Sequence, residues 1–367
     1  MFFSPGRVNL FGGHLDYNGG PVMPTAIDRG TFIAAAPRAD GMLRLTSTVA
    51  ESVFEAPLDA LPDAASGSWF DYPLGVVRAL LARSSEGCSG LDLGFGGNLP
   101  IGSGLSSSAS ICVGTALAVG ELWGRDLSPE DRIDAALVAE REFVGVQCGI
   151  MDPWAVGQAR PGHVLWLDCK DGSWEHLPLD VSRLSIAVTD TGVQRELAAS
   201  EFNVRVAECA EAFRLLQPFA PGSTCLRDID LATLDAHESV LDPVTARRAR
   251  HVVTEVARTF RARDAVRAGD LVTMGELMLA THASFRTQFE VSCTELDVLV
   301  EAAEAASGAF GARLTGAGFG GCTVTLVQQG QEADVEAELV RAFRARFGRD
   351  PSVRFFGGDE GPREIFG

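Results

Sequence analysis

Three separated segments hold the residues of this sequence that could do chemistry. The middle one, Leu99-Pro100-Ile101-Gly102-Ser103-Gly104-Leu105-Ser106-Ser107-Ser108-Ala109-Ser110, lies between an alternating apolar stretch and a run rich in Ala, Val and Leu. Its glycines let the backbone turn tightly and approach an anion with no Cβ in the way. Its serines leave amides and hydroxyls at the start of a helix, where several N–H groups can point at one oxyanion. A flexible loop ahead of a serine-rich helix is the plainer alternative, but it leaves this density of glycine and serine unexplained. We therefore read the segment as a phosphate cradle. The first segment, Ser4-Pro5-Gly6-Arg7-Val8-Asn9-Leu10-Phe11-Gly12-Gly13-His14-Leu15-Asp16-Tyr17-Asn18, gathers a guanidinium, an imidazole and a carboxylate. The third, Leu314-Thr315-Gly316-Ala317-Gly318-Phe319-Gly320-Gly321-Cys322, looks like a dinucleotide fingerprint. Such a fingerprint needs a strand, the glycines and then a helix, whereas an alternating β segment follows here, so a nicotinamide site is rejected. Taken alone, the third segment reads as a hairpin turn.

Apolar periodicity supplies the elements that must hold these segments. Strands are expected at 31–36, 43–45, 91–95, 163–168 and 184–188, with helices at 72–83 and from about 107 to 122. Ser128-Pro129-Glu130-Asp131 is a strong helix start, with a capping serine, a proline in the first turn and acids near the positive end of the dipole. That helix should carry Glu140 in its later turns. Helices are also expected over 196–216 and 244–263. The C-terminal part reads as a β-loop-β-α unit: 312–315, the glycine turn, 322–327 and a helix over 332–346.

The 367 residues, 46% hydrophobic, can bury a substantial core, and two lobes are more economical than one. The formal net charge of −18 argues against nucleic acid or an anionic membrane as partner. A phosphate-bearing ligand would have to be held against that field by local amides and a few cations. Eight cysteines stand singly, with no C-x-x-C pair and no Cys/His cluster of metal-ligand spacing, as expected of free thiols in a reducing cytoplasm. No apolar run reaches the roughly 18 residues of a membrane span, and the N-terminus lacks the pattern of a signal peptide. A soluble cytoplasmic protein is expected.

Together the three segments resemble the galactokinase branch of the GHMP small-molecule kinases. So do Cys148-Gly149-Ile150-Met151-Asp152, Arg195-Glu196-Leu197-Ala198-Ala199-Ser200-Glu201 and Val291-Ser292-Cys293-Thr294-Glu295-Leu296-Asp297. The glycine-serine segment indicates the superfamily; the first segment and Gly-Ile-Met-Asp narrow it to the sugar-phosphorylating branch. The resemblance implies an α/β (α+β) fold of two lobes with the active site between them. A ribosomal-protein-S5-domain-2-like lobe would span 1–180 and a ferredoxin-like lobe 181–367. It makes Asp152 the active-site carboxylate and Arg7 its partner, and sets His14, Asp16, Gly13, Gly149 and Phe202 around the sugar. It puts Gly102, Ser103, Gly104, Leu105, Ser106, Ser107, Ser108, Gly316 and Gly318 around ATP, and Mg²⁺ on Ser108 and Glu140. By residue type alone, Arg7 with Asp152 is equally an ordinary ion pair, and Glu140 beside Glu142 equally a solvated helix acid.

This chain departs from the family pattern at three places. Gly13 stands where the motif usually has glutamate, Phe202 where tyrosine is usual and Pro153 where glutamine is usual. Two polar sugar contacts are thereby missing, and a roomier, less anionic pocket is expected around the sugar's C5 substituent. The expected activity is ATP-dependent phosphorylation of an anomeric hydroxyl. D-galactose is the first candidate, followed by galacturonate, L-arabinose or a modified hexose. A non-catalytic sugar sensor is disfavoured by the complete serine run, and a homoserine or isoprenoid-pathway kinase by the first segment. A monomer is favoured.

Overall fold

The computed structural model describes residues 1–99, 104–146, 148–193 and 198–366. Gly102 and Ser103 of the phosphate cradle lie outside the described residues, as do Arg195, Glu196 and Leu197. The first elements in chain order are β1 (Phe2–Phe11), β2 (Pro21–Arg38), β3 (Met42–Ser47), β4 (Phe54–Pro57), α1 (Asp71–Arg83), β5 (Gly90–Gly97), α2 (Ser107–Leu122), α3 (Pro129–Val138), α4 (Met151–Gly157), β6 (His163–Asp168) and β7 (Trp174–Pro178). All of β1 is buried, so it shows no alternation, and Pro5 and Gly6 interrupt it; periodicity therefore did not mark it. The register against β2 shifts between Pro5 and Gly6, a bulge that re-aims the next residue, Arg7.

These strands form one sheet in the order β1-β2-β5-β3-β4, with β6 beside β2 and β7 beside β6; only the β3–β5 pair is parallel. Helix α2 is apolar almost all round and lies between this sheet and α1, α3 and α4, as such a helix must. Helix α3 begins at the expected capping serine, Ser128, which forms a capping box with Asp131. Its end departs from expectation: Glu140 is not in an α-turn but in a π-turn, Ala139–Val144. Wide turns of this kind insert a residue and redirect the side chains around it.

The second part comprises β8 (Leu184–Asp190), α5 (Ala198–Leu216), α6 (Leu231–His237), α7 (Pro243–Ala268), α8 (Leu271–Ser284), α9 (Thr294–Ala305), β9 (Ala309–Thr315), β10 (Cys322–Gln328), α10 (Glu332–Phe347), β11 (Ser352–Phe356) and β12 (Arg363–Glu364). Strands β11-β8-β10-β9 form an antiparallel sheet, and the β9-loop-β10-α10 unit is as expected. Helix α7 runs past its expected end because nothing stops it before Gly269, which takes the left-handed C-cap conformation. The last strand, β12, returns to pair with Phe2 and Phe3 at the edge of the first sheet.

One apolar cluster packs α1, α2 and α3 onto the first sheet. Two others cross between the sheets: Val8, Leu10 and Met23 with Ile186, Val324 and Leu326, and Leu15 and Val22 with Phe285, Phe289 and Leu314. Val8, Leu10, Leu105, Leu314 and Cys322 of the three chemical segments belong to this shared core. Among the described residues, no helix is long and apolar enough to cross a membrane.

Candidate active site

Arg7 projects from β1 onto Asp152 in the first turn of α4. Its Nε and Nη2 donate to Oδ1 and Oδ2 at 2.6 and 2.5 Å, a two-point fork, while Nη1 donates to the Gly104 carbonyl at 2.7 Å. The guanidinium is 4% exposed, whereas the Asp152 side chain keeps 30% exposure toward the cleft. The fork fixes the carboxylate plane, and the exposed edge can accept from a ligand. Ser106 also donates its hydroxyl to Asp152 Oδ2. Ser106 is the N-cap of α2 and sits at φ +58°, a left-handed conformation rare for serine, and it makes no side-chain cap. Its expected place was among the phosphate ligands; its hydroxyl is instead committed to the aspartate. The first amides of α2 are left without a side-chain cap, which suits an anion.

Across the cleft, His14 is 7% exposed and its Nδ1 is 2.9 Å from the Tyr17 hydroxyl, with the Phe289 ring 4.8 Å away. Burial, aided by Arg313 and Arg205, pushes its pKa down to about 3, so the ring is neutral. Burial, then the charge of Asp152, raises Asp16 to about 6. Gly149 explains how Asp16 fits: a Cβ there would lie 1.8 Å from Asp16 Oδ2, so any larger residue would displace the Asp16 side chain. Phe202 lies 5.8 Å from the His14 ring and 5.4 Å from Tyr17 by ring centroids, as an apolar wall.

Gly13 corrects one expectation. The space that a missing glutamate would vacate is filled: a Cβ there would lie 2.3 Å from Phe285 Cζ and 2.6 Å from Arg313 Nη1. The pocket is less anionic at this point but no roomier. Two further histidines are core residues with hydrogen-bond partners. Buried His251 bonds Ser284, and His282 sits between Asp297 and the Leu314 amide.

Glu140 is 3% exposed, unlike Glu142, which faces solvent. Burial raises its pKa to about 7, partly offset by a hydrogen bond with Ser108. A buried carboxylate beside a hydroxyl, with no basic side chain in an ion pair among the described residues, is the donor set of a hard divalent cation, so the pair fits Mg²⁺. The Cys148 thiol, 3.8 Å from Glu140, is pushed up to about 12 and stays protonated.

These side chains line one cleft of about 540 Å³ that includes Arg7, Gly13, His14, Asp16, Ser108, Glu140, Gly149, Asp152, Phe202, Arg313 and Gly316. Gly104 and Gly316 touch backbone to backbone, a Cβ on either lying about 3.4 Å from the other, so the second and third segments meet at the cleft mouth. A second cavity of about 400 Å³ adjoins it through Tyr72 and Ser108; its wall of Trp69, Phe95, Leu99 and Ile111 is apolar. Sequence reasoning missed this cavity. The signal was the density of aromatics at Trp69, Phe70 and Tyr72 around the start of α1.

The comparisons with known proteins agree with this geometry. Models of the GHMP kinase N-terminal and C-terminal domains match residues 71–158 and 262–346, and the galactokinase galactose-binding signature matches residues 1–37. A mevalonate kinase from Methanococcus jannaschii superposes with a TM-score of 0.71 at 19% identity over 98% of both chains and shows the same fold, while the two domain models give the class as GHMP kinases. Within that class the likeness is much closer to one branch. A galactokinase from Chloroflexus aurantiacus is 42% identical over 94% of this chain and 88% of its own length, and one from Enterococcus faecalis is 38% identical over 100% and 95%. A crystal structure of Lactococcus lactis galactokinase complexed with galactose gives a TM-score of 0.94 at 33% identity, covering 99% of this chain and 94% of that one. The chain belongs to the galactokinase family of GHMP kinases and is a phosphotransferase.

Proposed function

We propose that the chain is an ATP-dependent sugar 1-kinase acting on D-galactose and close relatives, yielding the sugar 1-phosphate and ADP. The observation that carries this reading is the Arg7–Asp152 fork, held open to a cleft that also contains His14 and Asp16 and meets the uncapped start of α2. His14, Asp16 and Gly149 hold the sugar so that its anomeric hydroxyl reaches the free edge of Asp152. An anomeric hydroxyl is more acidic than an ordinary alcohol, so a carboxylate suffices to accept its proton as the oxygen attacks. Arg7 and Ser106 orient the carboxylate, and Arg7 balances negative charge near the transferring group. The α2 amides, with the segment around Gly104 and Gly316, take the phosphates. The apolar cavity beside Trp69 takes the nucleotide base.

Ser108 and Glu140 would hold Mg²⁺, which when bound neutralises charge on the phosphates. The division into lobes at residue 180 belongs to the same proposal, with the C-terminal strand lent back to the first lobe. ADP release over a panel of sugars, with homoserine and mevalonate as controls, tests it. Galactose or a C6-altered analogue should lead the panel; no sugar above background, or a better rate with either control, would refute the reading.

The raised pKa of Glu140 adds a pH dependence. Below about pH 7 a proton occupies the carboxylate and competes with the metal. The Mg²⁺ concentration for half-maximal rate should therefore rise by about tenfold for each unit of pH below about 7, and level off above it. Stability moves in the opposite sense. A carboxylate whose folded pKa is raised stabilises the metal-free fold below the ordinary glutamate range, and that contribution is lost as pH climbs through about 7. Mg²⁺ with nucleotide should thus raise Tm more above pH 7 than below it. A pH-independent increment in thermal melts would contradict the metal role of Glu140.

A further inference from the structure

Among the described residues, Arg313 stands out in the cleft as a buried cation without a counter-charge in contact. It is 1% exposed, and its Nε and Nη2 donate to the carbonyls of Leu10 and Asn9, which anchors it between β9 and β1. Nη1 makes no hydrogen bond, and among the described residues no carboxylate forms an ion pair with the guanidinium. Glu255 acts on it only from a distance, because that carboxylate is engaged by Thr281 at 2.8 Å and Arg258 at 2.7 Å. Among the described residues, the other arginine lining the cleft is Arg7, and it is paired with Asp152. Nη1 lies 2.6 Å from where a Cβ on Gly13 would be, so a carboxylate carried at that position would stand against it. This chain has the cation and, with glycine at position 13, no carboxylate there. Nη1 is not among the sealed side-chain atoms left without a partner, so it opens onto the cleft, where a ligand carboxylate can pair with it in a charge-assisted hydrogen bond.

We propose that Arg313 is a specificity-determining residue and that the pocket takes a sugar acid, an aldohexuronate whose carboxylate pairs with Nη1, as a substrate in addition to the neutral hexose. This rests on the sugar 1-kinase reading. Galacturonate and its amide, which keeps the shape and drops the charge, are the probes. In the wild-type enzyme galacturonate should be phosphorylated, with kcat/KM at least about tenfold above galacturonamide, as expected of a desolvated ion pair. Arg313→Gln should lower the galacturonate-to-galactose ratio of kcat/KM by about tenfold or more, and Arg313→Lys should restore part of it. A purely structural Arg313 would lower both sugars together and leave the ratio unmoved. If Arg313→Gln does not fold, the acid-to-amide comparison in the wild type still decides. Equal treatment of acid and amide alongside good turnover of galactose overturns this inference alone; failure to phosphorylate any sugar overturns the kinase reading with it.

Discussion

Asp152→Asn should lower kcat on galactose by two to four orders of magnitude, roughly the contribution of a positioned general base. The amide cannot accept the proton of the anomeric hydroxyl. It also disturbs the site: Asp152 accepts from Arg7 Nε, Arg7 Nη2 and the Ser106 hydroxyl, and an amide NH₂ must face one of these donors. Arg7, only 4% exposed, loses its charge partner. Because the Asp152 side chain is 30% exposed, water blunts the penalty, and a stability loss of about 1–3 kcal/mol is expected rather than unfolding. ATP affinity should change little, since the phosphates are assigned to backbone amides of α2. A melt, an ATP titration and a turnover assay on one preparation separate the three effects. Near-normal turnover would remove the general-base role and leave Asp152 only a positional one.

Glu140→Ala should abolish activity at ordinary Mg²⁺ or shift its Mg²⁺ requirement far upward, while Glu142→Ala leaves both nearly unchanged. The two acids are close in sequence and in charge. They differ in that Glu140 is buried in the π-turn against Ser108, and Glu142 faces solvent. The pair therefore controls for the loss of a generic helix acid in an already acidic chain. Replacing Glu140 also removes a group that is hard to bury charged, so Tm in the absence of metal should hold or rise above pH 7. Indistinguishable magnesium titrations for the two variants would show that Glu140 does not hold the metal.

What was legible in the sequence was local or carried by motif. The start of α3 could be read because a capping box and a first-turn proline act within a few residues. The start of α2 could be read because glycine and serine give way abruptly to an apolar run. Strand β1 was not legible, since burial on both faces erases alternation and Pro5-Gly6 mimics a break. Helices α8 and α9 went unmarked. The motifs brought Arg7 to Asp152 and Ser108 to Glu140, although neither pair could be distinguished from ordinary surface chemistry by residue type. The missing information was three-dimensional. Ser106 turns its hydroxyl to the aspartate because its backbone is left-handed, and Phe285 and Arg313 arrive beside Gly13 from the far end of the chain. A missing side chain at Gly13 suggested empty space; packing density requires that such space be filled.

The position of the new phosphate is the most direct test of the whole reading, because the orientation of the sugar against Asp152 determines it. Galactose and ATP would be turned over to completion and the product examined by phosphorus-coupled proton NMR. The expected product shows phosphorus coupled to the anomeric proton, with the sugar locked as a single anomer that no longer mutarotates. Phosphorus coupled instead to the C6 methylene protons, with both anomers still interconverting, would contradict the placement of the anomeric hydroxyl at Asp152.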